Sequence, residues 1–173
     1  VIEVPVDATL GRRAVRVGTG RHRANGKHGH TGSMGMDVEN VGLHNDIVGA
    51  VGELAVARVG GYEDDYVEVV RNPKLLCGDV GPGWEVRATQ WRTGNLLMRR
   101  HDTDDRPFIL VRLHRVVFSA EASPTGVAEI IGWQWGAIAK DERHFCTPQS
   151  DTRVEFPCYL YPAYKLQRGL PLR

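Results

Sequence analysis

The sequence predicts a single α/β domain. Three observations carry that expectation. A long, almost uninterruptedly apolar segment, 43–60, reads as a buried helix. Behind it, short β-rich runs alternate with turn clusters, the pattern of several consecutive strands. One of those runs, Phe108-Ile109-Leu110-Val111, is continuously apolar, as expected of a central strand covered on both faces. The length of 173 residues fits one domain of ordinary size. With 42% hydrophobic and 25% charged residues the composition is that of a globular chain, which excludes disorder or a coiled coil as the main state.

The elements follow in order. Residues 1–9 read as a short strand. Residues 10–36 are rich in Gly, Arg and His with weak periodicity, and they read as a loop or arm. From Ala8 to Met36 there is no acidic residue, while Arg12, Arg13, Arg16, Arg21, Arg23 and Lys27 fall inside the span. Such a segment attracts a polyanion, and these six are the candidate nucleic-acid contacts. A plain solvated loop fits the segment as well. Arginine outnumbers lysine 18 to 4, which fits phosphate binding or a genome bias equally.

The predicted helix runs from Leu43 to Gly60, with Asn45 or Asp46 as its cap and Gly60-Gly61 as its stop. Glu53 is the charge at its centre, and a carboxylate in such surroundings is costly unless it is paired or metal-bound. Gly49 and Gly52 each cost the helix about 1 kcal/mol against alanine and imply close approach by a sheet or ligand. Strands are expected at Tyr66–Val70, Trp84–Gln90, Asn95–Arg99, Phe108–Leu113 and Val127–Trp135. The four prolines within 140–173 predict irregular wrapping, with a short strand at Tyr159–Tyr161.

The chemistry-bearing stretch is Gly78-Asp79-Val80-Gly81-Pro82-Gly83-Trp84-Glu85-Val86-Arg87. On a strand, Glu85 and Arg87 share one face, and Val86 points to the other. Two carboxylates can hold a divalent cation through oxygen, and a neighbouring guanidinium can stabilise phosphate charge. Glu53 offers a third carboxylate, and Gln90 a nearby polar contact. The same residues also fit an exposed Glu85–Arg87 pair with Asp79 capping a turn.

Residues 46–135 resemble the PD-(D/E)XK nuclease superfamily, the restriction-endonuclease-like fold, by order of elements as much as by residues. The helix glutamate falls on Glu53 and the family aspartate on Asp79, with Gly78 where proline is usual. The E-x-K motif falls on Glu85-Val86-Arg87, and a later strand contains Gly132-Trp133. The layout is also similar to small phage-type members.

The resemblance implies a mixed sheet flanked by helices and magnesium- or manganese-dependent hydrolysis of phosphodiester bonds, with DNA the expected substrate. It implies Asp79, Glu85, Glu53 and the Val86 carbonyl as metal ligands, and Glu53, Asp79, Glu85 and Arg87 as the catalytic set. A homodimer is compatible with it. Arg87 in place of lysine excludes a base role for that residue, because arginine stays protonated. The substitution also fits a catalytically silent module that binds nucleic acid or protein.

Other groups carry less. His22, His28 and His30 have no Cys-x-x-Cys partner, so no zinc pattern forms. His44 lies roughly 180° around the helix from Glu53. Gly18-Thr19-Gly20 completes no phosphate-loop motif. Trp133 and Trp135 share one strand face, where packing against the core is the expected role. Cys77, Cys146 and Cys158 show no paired spacing, and no signal-type N-terminus or membrane-length apolar run is present, so a cytoplasmic location in a bacterial or phage-infected cell is expected.

Overall fold

The computed structural model describes residues 1–26, 38–64, 66, 78–119, 122–151 and 154–171. Lys27, His28, His30, Cys77 and, apart from Tyr66, the strand expected at Tyr66–Val70 lie outside the described residues.

The chain opens with strand β1 (Ile2–Val6), then helix α1 (Ala8–Gly26) and helix α2 (Val38–Gly60). Strands β2 (Glu85–Thr89), β3 (Leu96–Arg99), β4 (Pro107–Val117) and β5 (Thr125–Trp135) follow. A short helix α3 (Gly136–Ala139) precedes β6 (Phe145–Cys146) and β7 (Cys158–Tyr161). One sheet has the order β1-β5-β4-β2, antiparallel except for the parallel β2–β4 pair, and is therefore mixed. A second sheet has the order β3-β7-β6. Pro5 sits on edge strand β1, where its missing N–H leaves a free side of the ladder unaffected.

Both long helices cover the same face of the first sheet. Leu10, Ala14 and Val17 of α1 and the apolar residues of α2 pack with Val86, Ile109, Val111 and Ile130. The opposite face carries Phe108 and Leu110, which pack with Leu96, Met98, Tyr159 and Tyr161 of the second sheet. The expected mixed sheet with helices is present, with helices on one face and the second sheet on the other. Strand β4 is the central strand that its apolar run predicted, and Phe108–Val111 are all buried.

The segment expected to be a loop, 10–36, is helical through Gly26. Asp7 caps it: its Oδ1 accepts from the Leu10 amide at 2.8 Å. Leu10, Ala14, Val17 and Arg21 recur at spacings of four, three and four, one stripe of a helix. The glycines that obscured this stripe serve packing. A Cβ on Gly18 would lie 2.6 to 2.8 Å from side-chain and backbone atoms of Ile47, so glycine sets the approach of α1 to α2. Helix α2 begins at Val38 rather than Leu43, which places Asn45 and Asp46 in its interior and not at its cap. The close approach inferred from Gly52 is present: a Cβ there would meet the Ala88 Cβ of β2 at 2.8 Å.

The C-terminal segment is held more tightly than irregular wrapping suggests. Gln167 exchanges both backbone hydrogen bonds with Trp133, at 3.0 and 2.9 Å. A Cβ on the intervening neighbour Gly132 would stand 2.3 Å from the Gln167 carbonyl oxygen, so only glycine admits the segment there. Trp133 is buried in the helix-side core, as expected, and meets the half-exposed Trp135 edge to face. Cys146 and Cys158 are free thiols in register across β6 and β7. Among the described residues no helix is long and apolar enough to cross a membrane.

Candidate active site

The site is built where β2 begins. A tight loop precedes that strand, closed by bonds from the Asp79 and Val80 amides to the Trp84 carbonyl at 2.8 and 3.1 Å. Gly78 has φ +73°, and a Cβ on it would lie 2.5 Å from Gly83. Proline, locked near φ −65°, cannot occupy that conformation, which explains glycine before this aspartate. The loop aims Asp79 at the strand, and its Oδ2 accepts from the Val86 amide at 2.8 Å. On β2, Val86 and Ala88 face the helices, so Glu85 and Arg87 face the other way, as the period of two requires.

Arg87 is the centre of the arrangement. Its Nη1 lies 3.9 Å from Asp79 Oδ2, 3.7 Å from Glu85 Oε2 and 3.3 Å from the Val86 carbonyl oxygen. Its Nη2 bonds Asp102 Oδ1 at 2.9 Å, and the guanidinium stands 5.0 Å from the Phe108 ring centroid. Arg106 donates to Glu85 Oε1 at 2.8 Å. Arg106 arrives there because β4 runs parallel to β2: Glu85 is in register with Phe108, so both strands start at the same end.

Glu53 is 5% exposed, and both its oxygens are engaged. Arg21 grips them with two hydrogen bonds of 2.7 and 2.6 Å, and the Tyr66 hydroxyl donates to Oε2 at 2.6 Å. Burial opposes the charge of Arg21, but the Glu53 carboxylate outweighs it and holds the guanidinium above its ordinary pKa. Burial, then the Glu53 charge, pushes the Tyr66 phenol up. Burial, reinforced by the charges of Glu53 and Glu85, raises the Asp79 carboxyl to about 7, against the Val86 amide and Arg87. Nearby, Asp46 faces His22 at 3.4 Å.

Of the predicted site residues, the structure thus brings together Asp79, Glu85, Val86 and Arg87. Glu53 stands behind them and interacts with Asp79 through charge. Among the described residues, no three His, Cys, Asp or Glu side chains gather closely enough to hold one ion. The oxygens of Asp79, Glu85 and the Val86 carbonyl are hard ligands of the kind magnesium takes, and they already surround a cationic nitrogen; they fit such an ion with Arg87 displaced. Glu53 does not join them, because Arg21 and Tyr66 use its oxygens.

The basic segment is redistributed by its helical form. Arg21 turns inward to Glu53, and Arg13 donates to the Glu63 carbonyl at 2.9 Å and stands over the Tyr66 ring. Arg12, Arg16 and Arg23 are exposed on α1. Gln90 is bonded to His44 at 2.8 Å. Sequence reasoning put Arg21 among the nucleic-acid contacts rather than beside Glu53, and it did not place Tyr66, Asp102 or Arg106 in the site. The stripe spacing of Arg21 and the position of Arg106 at the head of the central strand were the available signals.

Fold and site together define an α/β chain with an acid–arginine cluster at the start of an edge strand. No protein-family model, curated protein or solved structure matches this chain.

Proposed function

We propose that the chain is a metal-dependent nuclease of the PD-(D/E)XK type, acting on DNA. The observation that supports it is the convergence of Asp79, Glu85 and the Val86 carbonyl on one cationic nitrogen at the head of β2, flanked by a second arginine. A position that gathers three oxygens around positive charge favours a cation by its field. Asp79 and Glu85 would hold the ion, with the Val86 carbonyl beside them. When bound, magnesium or manganese supplies Lewis-acid polarisation of phosphate oxygens and activation of water.

The protein's own contribution is electrostatic. Arg87 cannot take a proton from water, but its planar fork can bind phosphate oxygens as charge develops. Arg106 adds a second guanidinium at the same end. Glu53, fixed by Arg21 and Tyr66, adds negative charge near Asp79, which favours a cation there. Exclusion of water from the helix side follows from the buried core beneath Val86.

The placement of Arg87 also favours a second reading, a metal-free nucleic-acid-binding module. The guanidinium is tied to Asp102 and Phe108, and it fills the position between the three oxygens. A cleavage assay separates the two. Supercoiled, linear and single-stranded DNA are incubated with magnesium, manganese or EDTA, with Glu85→Ala in parallel. Metal-dependent cutting that vanishes in the variant is the expected result. Equal cutting by both proteins overturns the site, and DNA binding in EDTA without any cutting moves the assignment to the silent module.

A further inference from the structure

A second feature lies on the same sheet face as Glu85 and Arg87. A cleft of roughly 630 Å³ opens between β4, β5, the loop after β2 and the C-terminal segment. Arg92, Arg112 and Arg168 line it together with Tyr164, and no acidic residue does. We propose that this cleft binds a single strand of nucleic acid, its phosphates on the three guanidinium groups and a base on Tyr164; the proposal rests on the nuclease reading and names where its substrate strand is held.

The free charge is real. Arg92 and Arg168 are exposed and make no hydrogen bond or ion pair among the described residues. Arg112 gives Nε and Nη2 to the Gly94 carbonyl at 3.2 and 2.8 Å, which fixes the side chain and leaves Nη1 to the cleft. Glu129 is opposite Arg112 in the β4–β5 register, but its carboxylate is turned to Arg115 and His114 at 3.3 and 3.7 Å. Burial pushes the Arg112 guanidinium below its ordinary pKa, and the charge of Glu129 opposes that shift.

The aromatic part is equally unspent. Tyr164 is 85% exposed, a value that core-forming rings do not adopt. Large rings beside arginines form stacking platforms for unpaired bases. The cleft is also pre-shaped. The Ala163 amide donates to Asn95 Oδ1 at 3.2 Å, and this bond joins the two walls. Along β4, Arg112 is four residues from Phe108, the register neighbour of Glu85, which is about 13 Å at ~3.3 Å per residue. The second sheet covers Phe108 and Leu110 over this interval, so a strand held in the cleft passes around that sheet to reach the acid cluster.

The test is fluorescence anisotropy of the full chain with a labelled 15-nucleotide oligo(dT) and with a duplex of equal length, in EDTA so that nothing is cut. Arg92→Ala/Arg168→Ala is expected to weaken single-strand binding about ten-fold or more. The same variant should lower the slope of log affinity against log salt by about 1.4, two phosphate contacts at ~0.7 each. Tyr164→Ala is expected to weaken the single strand by about five-fold or more and leave the duplex unchanged. Arg92→Lys/Arg168→Lys should restore most of the salt slope. These positions are on the surface, and unchanged thermal midpoints confirm folding. Unchanged affinity in the alanine variants overturns the cleft, and so does equal loss for strand and duplex with no effect of Tyr164, which marks unspecific polyanion attraction. If the variants lose the strand while the wild-type chain cuts nothing with magnesium, the cleft stands and the nuclease assignment falls. If the wild-type chain cuts and the variants bind normally, the reverse holds.

Discussion

Replacement of Arg21 by methionine strips Glu53 of its only cationic partner among the described residues. Glu53 is 5% exposed, and its two bonds to Arg21 are 2.7 and 2.6 Å, charge-assisted and bidentate. Breaking a buried pair from one side leaves an uncompensated charge, at a cost of about 3–5 kcal/mol. For a chain of this size, each kcal/mol moves the thermal midpoint by about 2–4 °C, so Arg21→Met is expected to lower it by about 6–20 °C. In Arg21→Met/Glu53→Gln the orphaned charge is gone, and the glutamine oxygen still accepts from Tyr66. The double variant should recover roughly 2–3 kcal/mol relative to the sum of the two single losses. Urea denaturation of the four proteins closes the cycle. Additive losses, or a loss below about 1 kcal/mol for Arg21→Met, would refute the buried-pair account and release Glu53 to other partners.

Three further outcomes are expected. In EDTA, Asp79 with its pKa raised to about 7 from 3.8 keeps a proton in the native state that the unfolded chain releases, so its contribution to stability is full below pH ~4 and lost as pH rises through ~7; urea midpoints at pH 5 and pH 8 should differ less in Asp79→Asn than in wild type. Gly18→Ala should lower stability by about 1–2 kcal/mol in thermal melts, because the clash with Ile47 backbone atoms outweighs the ~1 kcal/mol gain in helix propensity. Gly78→Pro cannot adopt φ +73° and is expected to displace Asp79 from the Val86 amide; loss of exchange protection at that amide, with the fold retained by circular dichroism, is the readout.

The strand series and α2 were legible because their signals are local. Apolar runs and turn clusters marked β2, β3, β4, β5 and β7 within a few residues, and the uniform apolarity of 47–57 marked a buried helix. Helix α1 was not legible, because its buried stripe has only Leu10, Ala14 and Val17, while Gly11, Gly18 and Gly20 argue locally for a loop. Their justification is tertiary: Gly18 meets Ile47, and Gly11 meets the Pro124 carbonyl. Glu53 was expected among the metal ligands; its pairing with Arg21 was not legible, since Arg21 reaches it only once α1 packs on α2. Asp79, Glu85 and Arg87 were readable as a unit because one loop and one strand carry them. Arg106 and Asp102 were not, because their place depends on β4 lying parallel to β2, a topology that no local pattern encodes.

Among the described residues, two hydrophobic cores lie on opposite faces of the first sheet. Such an arrangement divides the chain into layers that can open separately, each with its own free energy of local unfolding. The acid cluster lies on the seam: Val86 is anchored in the helix-side core, while the Arg87 guanidinium leans on Phe108 of the other. Transient detachment of the β3-β7-β6 layer would leave Asp79 bonded to the Val86 amide yet remove the outer covering of Phe108, freeing the guanidinium to swing. The slowest-exchanging amides should therefore be those of α2 and β4, and the mobility of the layer above would set how often Arg87 vacates the position between the three oxygens.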